Sequence, residues 1–215
     1  MTATPPSTEE LECRWKLWEA ISSAFLDTES RWFLPRIAAA MVESGYHVRT
    51  LDRIWRHEIV PELVANLMVV AGESQPLASN RPRPVRRASG PPGSLRRLFF
   101  RMPGRLVEPH WQALLRLRAR LLAEKGARAS LVEVWSLFAR AYLARQLDRL
   151  PSLDGAAQAL RASGLGPSGC AATFAEDFRP IYAALLIGRE RADESARAGN
   201  VSQLIERAFR YNQRP

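Results

Sequence analysis

The chain has 215 residues, 47% of them hydrophobic and 25% charged, with a formal net charge of +9. That balance excludes a disordered or fibrous chain, and a chain of this length buries roughly 70% of its unfolded surface without needing a disulfide or metal staple. The two cysteines, Cys13 and Cys170, are far apart and in no metal-ligand spacing, which reads as two small buried hydrophobes.

Residues 1–13 carry Glu9, Glu10 and Glu12 and no Lys or Arg, unlike the leading segment of a signal peptide. Ser7 with Glu10 makes a capping box, and a first helix is expected from about Glu9 to Leu26. Leu11, Trp15, Trp18, Ile21 and Phe25 recur along it at helical spacing. Asp27 and Thr28 stop it. A second helix is expected to about Ser44, with Pro35 in its first turn and Gly45 beyond its end. Thr50 is the expected cap of a third helix carrying Leu51, Ile54, Trp55 and Ile59. Pro61 predicts a kink or break at Val60. Leu63, Leu67 and Val70 give a fourth apolar face up to Gly72. This is the longest apolar run, but Asn66 interrupts it and it is too short to cross a bilayer. A cytoplasmic protein with no membrane partner is the expectation.

Proline and glycine then break any helical period, and residues 75–93 read as a linker or extended arm. Helical spacing resumes at Leu95 with Phe99 and Phe100 and is expected to stop at Pro103 and Gly104. A longer helix is predicted from about Pro109 to Lys125. Ser130 and Glu133 form a second capping box before a helix to about Leu150, and Ser152 caps another to Ala162. Further helices are expected between Cys170 and Phe178, over Ile181–Ala192, and from an Asn200 cap to about Tyr211. Strand alternation is found nowhere. The expected fold is all-α, with a four-helix unit over 1–74, a Pro/Arg-rich linker over 75–93 and a larger helical unit over 94–215.

The charge is unevenly placed. Residues 1–80 sum to −4 and residues 121–215 to +3, whereas residues 81–120 hold 11 arginines against Glu108, a net of +10. Only Lys16 and Lys125 are lysines. Arginine forks suit carboxylates and phosphates equally, so Arg81, Arg83, Arg86, Arg87, Arg96, Arg97, Arg101 and Arg105 are the candidate partner-binding residues. An arginine-, alanine- and leucine-rich composition also follows from a GC-rich genome. Asp27, Glu58 and Asn66 are a candidate polar network, structural or partner-binding. Glu58 follows Ile54 and Trp55 by helical steps, and Asn66 lies between Leu63 and Val70, so both lie close to apolar stripes where an unpaired polar group is costly.

Catalytic and metal patterns fail on inspection. Gly164, Gly166 and Gly169 spell G-x-G-x-x-G, but a helical pattern precedes them where a dinucleotide site needs a strand. His57-Glu58 begins H-E-x-x-H, but Pro61 stands where the second histidine belongs. The three histidines, His47, His57 and His110, have no ligand spacing. No catalytic residue, metal site or cofactor is assigned.

Three runs within residues 14–73 carry a resemblance. They are Trp18-x-x-x-Ser22-x-x-Phe25-Leu26-Asp27-Thr28-Glu29, then Gly45-Tyr46, then Glu58-Ile59-x-Pro61-x-Leu63-x-x-Asn66-Leu67 ending in Ala71-Gly72-Glu73. This segment resembles a family of small bacterial helical domains of unknown function that keep an F-L-D-T-E turn and an E-V-x-P-x-L-x-x-N-L helix. That family's members continue into a Trp-rich segment, where this chain turns into Ser74-Gln75-Pro76. The resemblance implies a helical N-terminal half and assigns no catalytic residue. The expected function is protein binding without catalysis, toward a partner with an acidic surface. An immunity protein, or an adaptor or chaperone for a toxin or secreted effector, is the expected type. The alternative is nucleic-acid binding through segment 81–105.

Overall fold

The computed structural model describes residues 8–23, 30–60, 94–124, 126, 128–144 and 152–211. The fold is all-α, with no strand among the described residues. Helix α1 spans Thr8–Ser23. It buries Leu17 and Ile21, four residues apart, while Leu11 is exposed and Trp15 and Trp18 are half-buried. The buried edge is therefore rotated from the expected stripe, and Leu17 belongs to it.

A 3₁₀ turn over Ser30–Phe33 runs straight into α2, Leu34–Glu43, with Pro35 at its second residue. Leu34, Ile37, Ala38 and Met41 recur every three or four positions and are fully buried. Gly45, at φ +66°, ends the helix, and its amide donates to the Val42 carbonyl at 3.1 Å. Helix α3 spans Val48–Ile54 and is capped by His47, whose Nδ1 accepts from the Arg49 amide at 3.3 Å. Thr50, the expected cap, lies inside the first turn, because the helix starts two residues earlier. A π turn follows over Trp55–Ile59. Val60 keeps helical angles, φ −55° and ψ −42°. The break expected at Val60 is thus a widened turn just before it, in the stretch where Pro61 supplies no amide to the His57 carbonyl. The expected fourth face, over 63–72, and the linker, over 75–93, lie outside the described residues.

Helix α4 runs unbroken over Ser94–Ala123. The stop expected at Pro103 and Gly104 does not occur, and Pro109 is likewise within the helix. A proline inside a helix loses one hydrogen bond and costs about 3 kcal/mol. The helix bears that cost beside a strong apolar face further on, where Trp111, Leu114, Leu117 and Leu121 are fully buried. Glu124, Gly126 and then α5, Arg128–Leu143, follow.

The chain divides into two compact units, residues 1–30 with 40–109, and residues 31–39 with 110–215. In the first, α1 packs on the π turn of Trp55–Ile59, and the core is Leu17, Ile21, Met41, Leu51, Ile54 and Trp55. The second adds α6 (Leu153–Ala162), α7 (Pro167–Ala172), a π turn (Thr173–Phe178), α8 (Arg179–Ala183), α9 (Arg189–Ala192) and α10 (Glu194–Tyr211). Ser152 caps α6 by accepting from the Gly155 amide at 3.4 Å. Ser130 is no cap: it lies within α5, and its hydroxyl donates to the Ala162 carbonyl at 3.3 Å. Asn200 lies inside α10, which begins six residues earlier. The helix expected over Ile181–Ala192 is broken at Gly188, φ +52°. Gly164 and Gly166 form the turn between α6 and α7, so the G-x-G-x-x-G run joins two helices.

Helix α10 lies against α5, α6 and α7. Aromatic rings fill the core beside α5. Phe178 and Tyr182 stack at 4.0 Å, and Phe138 meets Phe174 and Phe178 edge-on at 5.6 and 5.8 Å.

Candidate functional site

Of the arginines singled out in the sequence, Arg81, Arg83, Arg86 and Arg87 lie outside the described residues, as do Asp27 and Asn66. Arg96, Arg97, Arg101 and Arg105 stand in the first twelve residues of α4. In the register of that helix, Arg97, Arg101 and Arg105 are at i, i+4 and i+8. The whole helix carries seven arginines and one carboxylate, Glu108. That carboxylate is within 3.8 Å of Arg56.

Glu58 is a candidate that lies, with its partners Trp18 and Arg14, among the described residues. The π turn holds its carboxylate toward α1, with its side chain 11% exposed. Trp18 Nε1 donates to Oε2 at 3.0 Å, and Arg14 Nη1 stands 3.4 Å from Oε1. Arg14 also approaches the Glu10 carboxylate at 3.6 Å. The Tyr46 hydroxyl donates to the Glu10 carbonyl at 3.4 Å. Burial, above all, raises the Tyr46 pKa, with the neighbouring Cys13 adding to it and Arg14 opposing it. Cys13 Sγ points at the Ser44 carbonyl at 3.7 Å. This cluster ties α1, the Ser44–Tyr46 turn and the π turn together. Each carboxylate and hydroxyl in it has a partner, so it works as a polar clasp of the N-terminal unit.

A second polar cluster escaped the sequence reading. Arg197 on α10 is only 6% exposed, and its Nη1 donates to the carbonyls of Tyr142 and Leu143, each at 3.2 Å. These are last-turn carbonyls of α5, left free by the helix end and favourable to a cation. The Tyr142 hydroxyl donates to Glu194 at 2.9 Å, and Arg179 makes a two-pronged bond to the same carboxylate at 2.8 and 2.9 Å. Burial, then the Glu194 bond, pushes the Tyr142 hydroxyl well above its ordinary value. The Arg179 bond holds Glu194 below the usual carboxylate range. Arg31 grips Glu190 in the same forked way at 2.9 and 2.6 Å, and depresses its pKa. The Tyr182 hydroxyl donates to the Arg31 carbonyl at 2.9 Å, and full burial raises its pKa.

One signal for this cluster was present in the sequence. Arg197 shares a stripe with Val201, Leu204 and Ala208, at i+4, i+7 and i+11, so a cation stands on an apolar face. Tyr142 was legible only as an aromatic of the α5 stripe. Among the described residues no group of three or more His, Cys, Asp or Glu could hold a metal ion. None of their helices is long and apolar enough to cross a membrane.

Residues 12–117 match the family model described as domain of unknown function DUF7079. The match begins two residues before Arg14 of the clasp helix and runs through the π turn into α4. The DUF7079 segment therefore includes Glu58 with both its side-chain partners, and the first nine arginines of the basic segment. Residues 118–215, with α5 to α10, lie beyond it. No curated protein and no solved structure matches the chain.

Proposed function

We propose that this protein binds another protein without catalysis, in the manner of an immunity protein or an adaptor for a toxin or effector, and works in the cytoplasm. Its arginines from 81 to 105 pair with carboxylates on the partner. The observation that carries the reading is the imbalance of the basic segment. It has eight arginines and no carboxylate over residues 81–105, whereas further along Arg120 pairs with Asp177 at 2.8 Å and Glu108 is within reach of Arg56. Such a segment needs anions from outside itself. Planar guanidinium groups are weakly hydrated and suit bidentate pairing and burial at an interface.

The groups with displaced pKa values support a structural role for the second polar cluster. Tyr142, Glu190 and Glu194 are each held by a side chain of a neighbouring helix or turn, and Tyr182 by a backbone carbonyl. Affinity purification from the native host, with the co-eluting chain identified, tests the proposal. A stoichiometric protein is expected, lost when Arg86, Arg87, Arg96 and Arg97 are changed to alanine. Co-purification of nucleic acid in its place overturns the reading.

A further inference from the structure

The outward face of α3 and the π turn after it carries more cations than the described carboxylates pair. Arg49, Arg53, Arg56 and His57 are all exposed, and helical register sets them on one side. Leu51, Ile54 and Trp55 occupy the opposite side and are buried. The two carboxylates of this stretch are spent. Glu58 turns inward to Trp18 and Arg14, and Asp52 is gripped by Arg56, whose Nε lies 2.9 Å from each of its oxygens. Arg49, Arg53 and His57 have no carboxylate partner among the described residues.

We propose that this face docks an acidic helix or turn of a partner protein. The inference rests on the reading that the protein binds another protein, but it places a contact on a different surface from segment 81–105. From Arg49 to Arg53 the face advances about 6 Å along the axis, so carboxylates repeated every three or four residues on a partner helix meet both arginines, with His57 one turn further on. Val48, exposed at the edge of the same face, gives the apolar contact that interfaces add to arginine. A long polyanion is a poorer fit. The exposed side of α1 in the same unit carries Glu10, Glu12 and Glu19, which repel phosphates extending past the arginines.

The test titrates the full-length protein with a helical peptide bearing glutamates at i, i+4 and i+7, at about 0.15 M salt. A duplex DNA of similar length is titrated in parallel. The double variant Arg49→Glu, Arg53→Glu is expected to weaken peptide binding by about tenfold or more, since it removes two attractions and adds two repulsions. The variant with Arg96, Arg97, Arg101 and Arg105 changed to alanine is expected to shift it by less than about threefold. Both altered α3 residues are exposed, and an unchanged far-UV helix signal verifies the fold. Three results overturn the inference: no peptide binding by the unaltered protein, no loss in the Arg49, Arg53 variant, or tighter binding of duplex than of peptide on this face. Loss of peptide binding only in the α4 variant sinks this inference and leaves the proposed function standing. Preference for duplex in both variants sinks both.

Discussion

Glu58 and Arg197 pose the same physical problem, a charge near an apolar stripe, and the fold answers it in two ways. Glu58 receives an indole N–H and a guanidinium from α1, and Arg197 gives its protons to the carbonyls that end α5. The demand for a partner was legible at Glu58 from its spacing to Ile54 and Trp55. The suppliers were not, because Trp18 and Arg14 lie at least forty positions away and only folding brings them close. Replacement by glutamine keeps an acceptor for Trp18 and loses the ion pair, so Glu58→Gln is expected to cost about 0.5–1.5 kcal/mol. Glu58→Leu leaves the Trp18 indole without its acceptor and Arg14 with Glu10 alone, and is expected to cost about 2–3 kcal/mol. Urea unfolding checks the order, and equal losses for the two variants would show that Trp18 needs no acceptor. Arg197→Met preserves much of the volume while orphaning two buried carbonyls. A loss of about 2–4 kcal/mol is expected in the same measurement, with the urea slope unchanged. A loss below about 0.5 kcal/mol would remove Arg197 from the account of how α5 ends.

Element existence was legible and element boundaries less so. Ser152 as a cap and Gly45 as a stop were read correctly, because each does its work within four residues of itself. Thr50, Ser130 and Asn200 were each expected as caps and lie inside helices that begin two, two and six residues earlier, the first of them capped by His47. Pro103 failed as a stop because a local penalty of about 3 kcal/mol is not decisive in a helix of 30 residues. Two glycines separate backbone from packing effects. A Cβ at Gly188 or Gly199 would meet nothing within 4 Å, but Gly188 has φ +52° and Gly199 is inside α10. Gly188→Ala is therefore expected to destabilise by about 1–2 kcal/mol, and Gly199→Ala to stabilise by about 0.5–1 kcal/mol. Opposite shifts of the thermal midpoint verify this pair, and shifts of one sign would refute it. The forked bonds Arg31–Glu190 and Arg179–Glu194 tie further elements of the C-terminal unit. Both carboxyls are depressed below their ordinary value of 4.5, so the folded state binds fewer protons there. Their contribution is full above about pH 4.5 and is lost as pH falls through the lower folded values. Arg31→Gln is expected to flatten the fall in stability below pH 4.5, and an unchanged acid slope would assign that fall to other carboxyls.

At the scale of the whole molecule, the all-α class was legible because apolar spacing of three and four recurs through most of the chain, and binary pattern largely sets fold class. The proposed function rests on charge alone, since a segment at +10 over residues 81–120 attracts anions without choosing among them. Salt separates the possibilities. Each phosphate neutralised on a duplex releases condensed counterions, so logarithmic affinity falls linearly with logarithmic salt, by roughly 0.9 for each contact. Six to ten such contacts lose about a thousandfold or more in affinity between 50 and 200 mM salt. Pairing with carboxylates on a folded protein releases no comparable atmosphere, and its buried contacts persist. Gel shifts with duplex and single-stranded DNA and RNA are therefore expected to show weak binding at 50 mM salt that vanishes by 200 mM. The complex with the purified protein partner is expected to survive at 200 mM. The flanking residues 1–80, at −4, lower the affinity for a backbone that runs beyond the arginines, most strongly at low salt. Sub-micromolar nucleic-acid affinity at 200 mM salt, abolished by alanine at Arg86, Arg87, Arg96 and Arg97, would reverse the ranking. The arginine segment would then be a nucleic-acid arm, and the immunity or adaptor reading would fall.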